Sequence, residues 1–334
     1  MTTERLAVDN ARELAARVLE RAGADRRVAD SVANALVLAE CDGQRGHGLS
    51  RLTAYADQVA SGKVDGRAEP AVRRPRPATL HVDAAHGFAF PAVDVALDRL
   101  RDLVPEQGVA AAAIGRSHHF GVAGHPVERL ARSGLIALAV SNSPAAMAPW
   151  GGARPVFGTN PIAFAVPRGD GDPVVVDLSL SKVARGKVNV AAQRGDAIPG
   201  DWALDADGRA TTDPNAALAG SMLPAGDAKG AALAFMVEVL SVAFTASNFG
   251  FQASSFFDAD GPPPGIGHML LGFSPDGFEE SGFGERLETL LAAMTGDKGV
   301  RLSGQRRFAA RRRAEAEGLD LDAAFLAGLR ARLR

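Results

Sequence analysis

The sequence is poor in cysteine, tyrosine and tryptophan. Its 334 residues include 1 Cys, 1 Tyr and 2 Trp, against 16 Phe. The lone Cys41 can form neither an internal disulfide nor a cysteine-based metal cluster, which favours a reducing compartment. Because phenylalanine has no polar tip, its excess indicates core filling rather than a carbohydrate-stacking surface.

The sequence also lacks an excess of charge of one sign. The 37 Lys and Arg residues nearly balance the 39 Asp and Glu residues, and the formal net charge is −2. We therefore expect no nucleic-acid or membrane partner, because both need a basic footprint. The sequence shows neither a membrane-spanning apolar run nor the apolar stretch of a signal peptide, so we expect a cytoplasmic protein.

Several common catalytic signatures are missing. The sequence has no G-x-G-x-x-G after a strand, no P-loop, no G-x-S-x-G and no H-E-x-x-H. The usual dinucleotide fold, phosphoryl transfer and the commonest hydrolases therefore lose support. The seven histidines show no metal-ligand spacing outside the cluster at 118–125, and no metal is expected.

Apolar patterning predicts an α/β protein. Apolar residues recur at helical spacing up to about residue 60, and an extended surface connection, RAEPAVRRPRPAT, follows. Helical segments at 91–103, 122–133 and 227–246 then separate short apolar runs, and two helices are predicted after residue 276. The runs predicted as buried strands are ATLHV, GVAAAAI, LIALAVS, NPIAFAVP, DPVVVDLSL and HMLLGFS.

The first candidate site is RGHGLSRL, residues 45–52. If a helix starts near Gly46, His47 and Arg51 share one face about one turn apart. Arginine binds a carboxylate through a charge-assisted bond, and histidine can give a proton near neutral pH. The same spacing also suits a surface helix turn without a function.

Four further stretches suit a bound anion or a shaped pocket. SHHFGVAG (117–124) follows a strand and offers backbone N–H groups, while the Pro- and Gly-rich tract 141–164 indicates ordered loops. A strand ends in a polar, basic loop at 177–187, and Lys229 stands at the start of a helix within 225–246. Each stretch is equally compatible with ordinary packing.

Together these residues resemble the malate/L-lactate dehydrogenase superfamily, which lacks the usual Rossmann fold. The resemblance runs from about residue 5 to 330 and is carried by SHHFGVAGH, NSPAAMAPWGG, GTNPIAFAVPR, SKVARGK and DAKGAAL. The segment SNFGFQASSFFDADGPPPGIGHMLLGFSP is similar to the Δ1-piperideine-2-carboxylate/Δ1-pyrroline-2-carboxylate reductase branch, rather than to the malate, lactate or sulfolactate branches.

The resemblance implies a non-Rossmann malate/L-lactate (sulfolactate) dehydrogenase-like α/β fold. It implies a mixed sheet in the cofactor domain and helical N- and C-terminal parts. Residues 1–115 and 280–334 would form the helical, substrate-binding and dimerisation domain of a homodimer. Residues 116–279 would form the NADPH-binding domain.

The resemblance also assigns roles to individual residues. His47 matches the family's proton donor and Arg51 its carboxylate anchor. The other substrate contacts would be Thr159, Arg185 and Gly186. The cofactor contacts would be a phosphate-cradling turn (His119, Phe120, Gly121, Val122, Ala123), a strand end near the nicotinamide ribose (Asp177, Leu178, Ser179), the basic Lys229, and a segment that reaches the NADP phosphate (Gly304, Gln305, Arg306, Arg307).

Two positions depart from the family pattern. Many members have a serine before the histidine, where this chain has Gly46, and some have an acid where it has Lys187. Ser50 or a water molecule could take the serine's place.

The resemblance implies NADPH-dependent reduction of a cyclic ketimino acid, as in proline or lysine metabolism. Δ1-Pyrroline-2-carboxylate would give L-proline, and Δ1-piperideine-2-carboxylate would give L-pipecolate.

An alternative is an NAD(P)-dependent 2-keto acid reductase of the malate or lactate type, with Arg185 as a second cation. Another class, suggested by the missing serine, is a non-catalytic NADPH-binding protein. The resemblance to the reductase branch implies a pocket around residues 45–55 and 250–264 that is filled with Phe, Ser and small residues, which suits an apolar ring and favours the imine.

Overall fold

The computed structural model describes residues 2–169, 171–278 and 282–334. The strands within them are β1 (Thr3–Leu6), β2 (Ala71–Arg76), β3 (Thr79–Asp83), β4 (Val109–Ser117), β5 (Ile136–Ser141), β6 (Ile162–Val166), β7 (Val174–Leu178), β8 (Ala203–Leu204), β9 (Ser221–Met222), β10 (Ile266–Phe273) and β11 (Leu319–Asp322). The helices are α1 (Val8–Ala22), α2 (Arg26–Cys41), α3 (Leu52–Ala60), α4 (Ala89–Gln107), α5 (Gly124–Ala131), α6 (Arg185–Arg194), α7 (Pro214–Ala219), α8 (Ala228–Glu238), α9 (Phe283–Met294), α10 (Gln305–Glu317) and α11 (Ala323–Ala331).

A mixed sheet forms the centre of the described chain, with the strand order β2-β3-β4-β10-β5-β6-β7. β3 and β4 run parallel and are joined by α4, whereas the other neighbours pair antiparallel. All six apolar runs predicted as strands lie in this sheet. Residues of α4 and α5 join one hydrophobic core with its strands, and residues of α6, α7 and α8 join another. The α/β class and the non-Rossmann mixed-sheet fold are confirmed.

The helical part has a hydrophobic core of its own, shared by α1, α2, α3, α10 and α11. α1 ends at Gly23, whose φ of +115° is a conformation that favours glycine. α2 begins after Asp25, whose side chain accepts the Val28 N–H at 2.8 Å. The antiparallel pair β1–β11 joins the two ends of the chain, so these ends form one unit.

The domain boundary predicted at residue 115 falls inside β4. This strand pairs with β10, which belongs to the predicted NADPH-binding segment, and β2 and β3 extend the same sheet. The first part of the chain therefore contributes strands to the sheet as well as helices. The boundary predicted at residue 280 lies outside the described residues. The assignment of each unit to cofactor or substrate stays a prediction.

The helix predicted over 227–246 changes its geometry partway. α8 ends at Glu238, and a π-helical turn follows at Val239–Ala243. A Cβ added to Gly267 of β10 would lie 1.7 Å from the Ser241 carbonyl oxygen, so the turn packs directly on the strand backbone. The contact depends on Gly267, which lies outside the helical segment. The helical periodicity of 227–246 therefore does not reveal the wider turn.

The stretch RAEPAVRRPRPAT, predicted as a surface connection, contains the edge strand β2. Its register with β3 shifts between Arg73 and Arg76, and Pro75 lies in this irregular part. An edge strand tolerates proline because one row of its N–H groups needs no partner in the sheet. After residue 276 the described chain has three helices, α9, α10 and α11, where patterning predicted two.

The surface of α8 carries large apolar side chains, Leu233, Phe235 and Met236. The homodimer implied by the resemblance stays a prediction. Within the described chain, no helix combines the length and the apolar character that crossing a membrane would need.

Candidate active site

The loop between α2 and α3 carries the predicted proton donor and its arginine. Residues 45–51 form two consecutive 3₁₀ turns. Buried Glu40 holds them, because its Oε2 accepts a backbone N–H of the loop at 3.1 Å. A Cβ on Gly48 would lie 2.3 Å from that oxygen and 3.2 Å from the Glu40 backbone nitrogen, so a side chain here would displace the Glu40 carboxylate. His47 and Arg51 therefore lie in tight turns before α3, and not on one α-helical face.

Arg51 keeps part of its guanidinium unpaired. Its Nε donates to the Gly46 carbonyl oxygen at 2.7 Å, and its guanidinium carbon lies 4.3 Å from the centre of the Phe257 ring. Nη1 is buried and has no hydrogen-bond partner among the described residues. Burial lowers the pKa of Arg51, but a guanidinium still carries its charge at neutral pH. Nη1 is thus a charged donor that a small carboxylate can use.

His47 lies partly buried near this charge. Burial lowers the pKa of His47 to about 4, and the charges of Arg51 and His125 act in the same direction. His47 is therefore neutral at pH 7 in the ligand-free protein. A carboxylate bound to Arg51 would offset that positive charge, and the pKa of His47 would then rise.

Two further side chains form a hydrogen-bonded chain to His47. Nε2 of His119 lies 3.3 Å from Nδ1 of His47, and the two rings stack with their centres 5.2 Å apart. The hydroxyl of buried Tyr55 lies 2.6 Å from Nδ1 of His119. Sequence patterns and the resemblance predict His119 only as part of the cofactor turn and assign no role to Tyr55. The spacing of four residues between Arg51 and Tyr55 is the one sequence feature that could have placed Tyr55 near the site.

Phenylalanines from the segment 250–264 cover this site. The ring centre of Phe256 lies 5.0 Å from that of His119, and Phe257 stacks on Arg51. The Phe-rich segment therefore contacts the histidine–arginine loop (residues 45–51), as the predicted pocket requires. It gives the carboxylate-binding group an apolar wall.

Lys63 holds the Phe-rich segment in place. Its buried Nζ donates at 2.8 Å to each of three backbone oxygens, those of Ser255, Asp258 and Asp260. All three donors of the ammonium group are thus used inside the protein. No sequence pattern reveals the role of Lys63, because its partners lie almost two hundred residues further along the chain.

The turn between β4 and α5, predicted to cradle a phosphate, packs its side chains inward. Phe120, Val122 and Ala123 are buried, and Gly121 has a φ of +71°. A Cβ added to Gly121 would lie 2.8 Å from the ring of Phe90. A ligand at this turn would therefore meet mainly its backbone.

The turn meets the end of β7, which was also predicted to contact the cofactor. Oδ2 of Asp177 accepts the Gly124 N–H at 2.9 Å. The next side chain, Leu178, is 56% exposed, and the Ser179 hydroxyl lies 2.6 Å from that of Ser181. The structure thus brings together the two segments predicted for the cofactor, with an exposed apolar side chain beside them.

The C-terminal segment departs from its predicted role at one residue. Arg307 is only 7% exposed, and its guanidinium nitrogens lie 3.4 Å from Asp42, 3.5 Å from Glu128 and 3.9 Å from Asp177. We predicted that it reaches the NADP phosphate, but the inward face of α10 directs it to these acids instead. Its neighbour Arg306 is exposed. For Arg306, Gly304 and Gln305, the contact with the NADP phosphate stays a prediction.

Arg307 belongs to a buried network of charges. Arg311 donates at 2.7 Å to both Asp42 and Glu128, and Nε2 of His125 lies 2.9 Å from Asp42. Burial alone would raise the pKa of Asp42, but hydrogen bonds from Arg311 and His125 outweigh it, and this pKa lies below its ordinary value. The network joins α10 to α5 and to the residue that follows α2.

The remaining predicted contacts are Thr159, Arg185, Gly186 and Lys229. The Thr159 carbonyl oxygen accepts the Leu180 N–H at 2.8 Å, which fixes the loop after β7. Arg185 begins α6, is half-buried, and donates to the Leu218 carbonyl oxygen at 3.2 Å. Gly186 and Lys229 are exposed. Within the described chain, no hydrogen bond joins these residues to His47 or Arg51, and their roles stay predictions.

A site that holds a neutral histidine near an arginine with a buried, unpaired donor nitrogen could serve a small carboxylate and a transferable proton. The protein that carries it is an α/β oxidoreductase. The chain belongs to the malate/L-lactate dehydrogenase family, whose sequence profile matches residues 6–330.

Three relatives illustrate its place in the family. The (2R)-3-sulfolactate dehydrogenase (NADP(+)) of Chromohalobacter salexigens is 55% identical over 98% of this chain and 97% of its own. The Δ1-pyrroline-2-carboxylate reductase 1 of Burkholderia ambifaria is 40% identical over 96% of this chain and 95% of its own. The crystal structure of Δ1-piperideine-2-carboxylate reductase from Pseudomonas syringae pvar. tomato superposes with a TM-score of 0.94 at 38% identity, over 99% of this chain and 100% of its own.

These relatives differ in the substrate that their names give. The reductase branch expected from the sequence is represented at 38–40% identity, whereas a sulfolactate dehydrogenase reaches 55%. An oxidoreductase of this family is thus confirmed, and specificity for an imine is not.

Proposed function

We propose that this protein is an NADPH-dependent reductase of small acids in which a C=O or C=N bond stands beside the carboxylate. The observation that carries the proposal is the buried, unpartnered Nη1 of Arg51 near His47. A charge-assisted bond from this group contributes about 1.5–3 kcal/mol. It also fixes the reacting carbon relative to the proton donor, which removes much of the entropy cost of the reaction.

The residues that would hold NADPH are the backbone of the turn at 119–123, the strand end Asp177–Ser179 and the exposed Arg306. The exposed apolar side chain of Leu178 fits this role, since it gives a flat ring a surface beside the turn. When bound, NADPH supplies a hydride to the carbon of the C=O or C=N bond. The NADP(+) in the name of the 55% identical relative supports this cofactor.

His47 supplies the proton that the reduced oxygen or nitrogen needs. Its Nδ1 faces His119, so the proton that leaves is the one on Nε2. The reaction needs His47 protonated at both nitrogens beforehand, because a neutral imidazole is a very weak acid. Carboxylate binding at Arg51 favours that protonation, which couples the proton donor to substrate binding.

Our first candidate substrate is the 2-oxo acid that corresponds to (2R)-3-sulfolactate, 3-sulfopyruvate. The support is the 55% identity to the sulfolactate dehydrogenase over nearly the whole chain. A sulfonate needs a second cation besides Arg51. Arg45 lies in the same pair of turns and is 75% exposed at its side chain, with Glu40 3.6 Å away. It is available to an incoming anion.

The second candidate is the cyclic imino acid predicted from the sequence. Phe257 lies on the Arg51 guanidinium and Phe256 on the His119 ring, and an apolar ring would bury its methylene groups against them. The structural similarity to the Δ1-piperideine-2-carboxylate reductase also supports it.

A substrate panel with purified protein tests the proposal. NADPH oxidation would be followed with 3-sulfopyruvate, pyruvate, oxaloacetate, Δ1-pyrroline-2-carboxylate and Δ1-piperideine-2-carboxylate side by side. Turnover of any of them supports the reductase, and the preferred acid identifies the substrate. If NADPH binds and none of the acids is reduced, the non-catalytic alternative replaces this proposal.

Arg45→Gln separates the two candidates. We expect this variant to raise KM for 3-sulfopyruvate by about 10-fold, because the sulfonate loses an exposed cation worth about 1 kcal/mol or slightly more. KM for a cyclic imino acid, which has a single anionic group, should not change. Equal effects on both acids would exclude Arg45 as a sulfonate contact. Lys298→Gln, at an exposed position, is the matched control.

The pH dependence should differ between free enzyme and complex. kcat/KM reports the free enzyme, in which the pKa of His47 is lowered to about 4 by burial, Arg51 and His125. For reduction, kcat/KM should therefore fall as the pH rises above about 4 and through the neutral range, because the protonated fraction of His47 keeps decreasing. The decline in kcat should lie at higher pH, since bound carboxylate offsets the charge of Arg51. In the oxidising direction both dependences should invert. A kcat/KM for reduction that rises with pH would contradict this assignment.

A further inference from the structure

The serine and the acid that the resemblance places beside the proton donor are absent from this site. Gly46 has no side chain and open space around it, and Lys187 is exposed. Ser50 does not replace them, because its hydroxyl donates to the Arg45 carbonyl oxygen at 2.6 Å. Some other group must orient the ring of His47.

His119 occupies that place. Its Nε2 lies 3.3 Å from Nδ1 of His47, and the two ring planes differ by only 16°. His119 is itself held by packing, since the rings of Phe256 and Tyr55 lie against it. A buried ring fixed on two sides gives His47 a partner that does not depend on solvent.

Tyr55 determines which nitrogen of His119 carries the proton. Its hydroxyl lies 2.6 Å from Nδ1 of His119 and has no other hydrogen-bond partner among the residues described. The phenol proton therefore goes to Nδ1, because an unpaired buried O–H is costly. His119 then carries its own proton on Nε2 and donates it to Nδ1 of His47. This order leaves His47 with its proton on Nε2.

We propose that His119 and Tyr55 are positioning residues for the proton donor, and that together they replace the serine that this chain lacks. Tyr55 sets the tautomer of His119, and His119 sets the tautomer and ring orientation of His47. The inference rests on the proposed function, because it assigns these residues to its proton-transfer step. His119 thus combines two roles, a side chain directed to the proton donor and a backbone in the predicted cofactor turn.

The hydrogen bonds from Tyr55 through His119 also affect how easily His47 gains its second proton. When Nδ1 of His47 carries a proton, Nε2 of His119 must accept it in a hydrogen bond. His119 then carries its own proton on Nδ1 and donates it to the Tyr55 oxygen. The phenol hydrogen then loses its acceptor. The other groups that face the two histidines are Arg51, His125, His118 and His268, and none of them supplies a carboxylate. Removal of the Tyr55 hydroxyl should therefore make protonation of His47 easier.

Three variants test these roles in the full-length protein, with the acid that the wild type turns over best. His119→Leu should lower kcat by about 10- to 100-fold, the loss typical when a partner that orients a functional histidine is removed. His119→Gln should recover part of it, since its amide can still donate to Nδ1 of His47. Tyr55→Phe should shift the pH at which kcat declines upward. Affinity for NADPH, measured by fluorescence titration, should stay unchanged in all three.

The kinetic results can overturn the proposal. If His119→Leu weakens NADPH binding and leaves kcat at saturating cofactor unchanged, His119 serves only the cofactor turn. Unchanged pH profiles in both Tyr55→Phe and His119→Gln would likewise reject the positioning roles, because a merely structural loss would not shift a titration.

A spectroscopic measurement separates this inference from the proposed function. With ¹⁵N-histidine labelling, the seven histidines give few signals, and His47 is assigned by its loss in His47→Gln. We expect the Nε2–H tautomer for His47 in the ligand-free protein. An Nδ1–H tautomer would overturn the proposed order of hydrogen bonds. This measurement needs no substrate, so it stands even if the wild type reduces none of the acids in the panel.

Discussion

His47→Gln is expected to lower kcat for reduction by about 10²- to 10⁴-fold, the usual contribution of a positioned general acid. Glutamine fills similar space and can hydrogen-bond to His119, but it has no proton to give at neutral pH. KM for the acid should change little, because Arg51 still binds the carboxylate. Steady-state kinetics at saturating NADPH, with the preferred acid of the panel, measure the effect.

The control for His47→Gln is His81→Gln. His81 lies on β3, where its Nδ1 is 3.3 Å from an Arg73 guanidinium nitrogen, away from the histidine–arginine loop. Turnover should be unaffected there. Turnover close to wild type in His47→Gln itself, with the acid still bound, would remove His47 from the mechanism.

The second large effect concerns stability. Arg311→Met should lower the free energy of unfolding by about 3 kcal/mol, the lower end of the range for removing one partner of a buried ion pair, because other cations remain near the acids. Here Asp42, which is inaccessible at its side chain, and Glu128 lose their contacts of 2.7 Å with Arg311, although Arg307, His125 and Arg132 remain near them. The measurement is the shift of the urea unfolding curve between wild type and variant.

Arg312→Met is the matched control for this experiment. Its guanidinium pairs with Asp172 at the surface, and such a pair contributes at most about 1 kcal/mol. An equal loss of unfolding free energy in both variants would show that the buried network contributes no more to stability than a surface ion pair.

The pH dependence of the Arg311→Met effect follows from the same carboxylates. In the wild type, the pKa values of Asp42 and Glu128 are lowered in spite of burial, by hydrogen bonds from Arg311 and its neighbours. Their contribution is complete above the unfolded-state pKa and is lost as the pH falls through the folded-state pKa. The difference between wild type and Arg311→Met should therefore be largest near neutral pH and narrow in acid.

The fold could be predicted well where one short segment carries its own signal. Six runs of apolar residues predicted strands that all lie in the central sheet, because burial on both faces leaves a continuous apolar pattern. The pair β1–β11 could not be found in this way. Its segments TERL and LDLD are four residues long and half exposed, and they pair only because the two chain ends meet.

The candidate site shows the same limit at the level of single side chains. His47 and Arg51 were identified from the glycines around them and from the resemblance. Arg307 was misplaced, because a basic run such as RRFAARRR does not tell which arginines turn inward. The structure shows that Arg307 and Arg311, four residues apart, share the buried face of α10. That distinction depends on acids contributed by distant parts of the chain.

The buried charge network has a consequence for the order in which the protein matures. Asp42 stands five residues before the proton donor, and its partner Arg311 follows 269 residues later. A chain emerging from the ribosome therefore holds Asp42 with only His125, and Glu128 with only Arg132, until α10 supplies Arg307 and Arg311. The ion pairs that join α10 to Asp42, five residues before His47, can therefore form only late in synthesis.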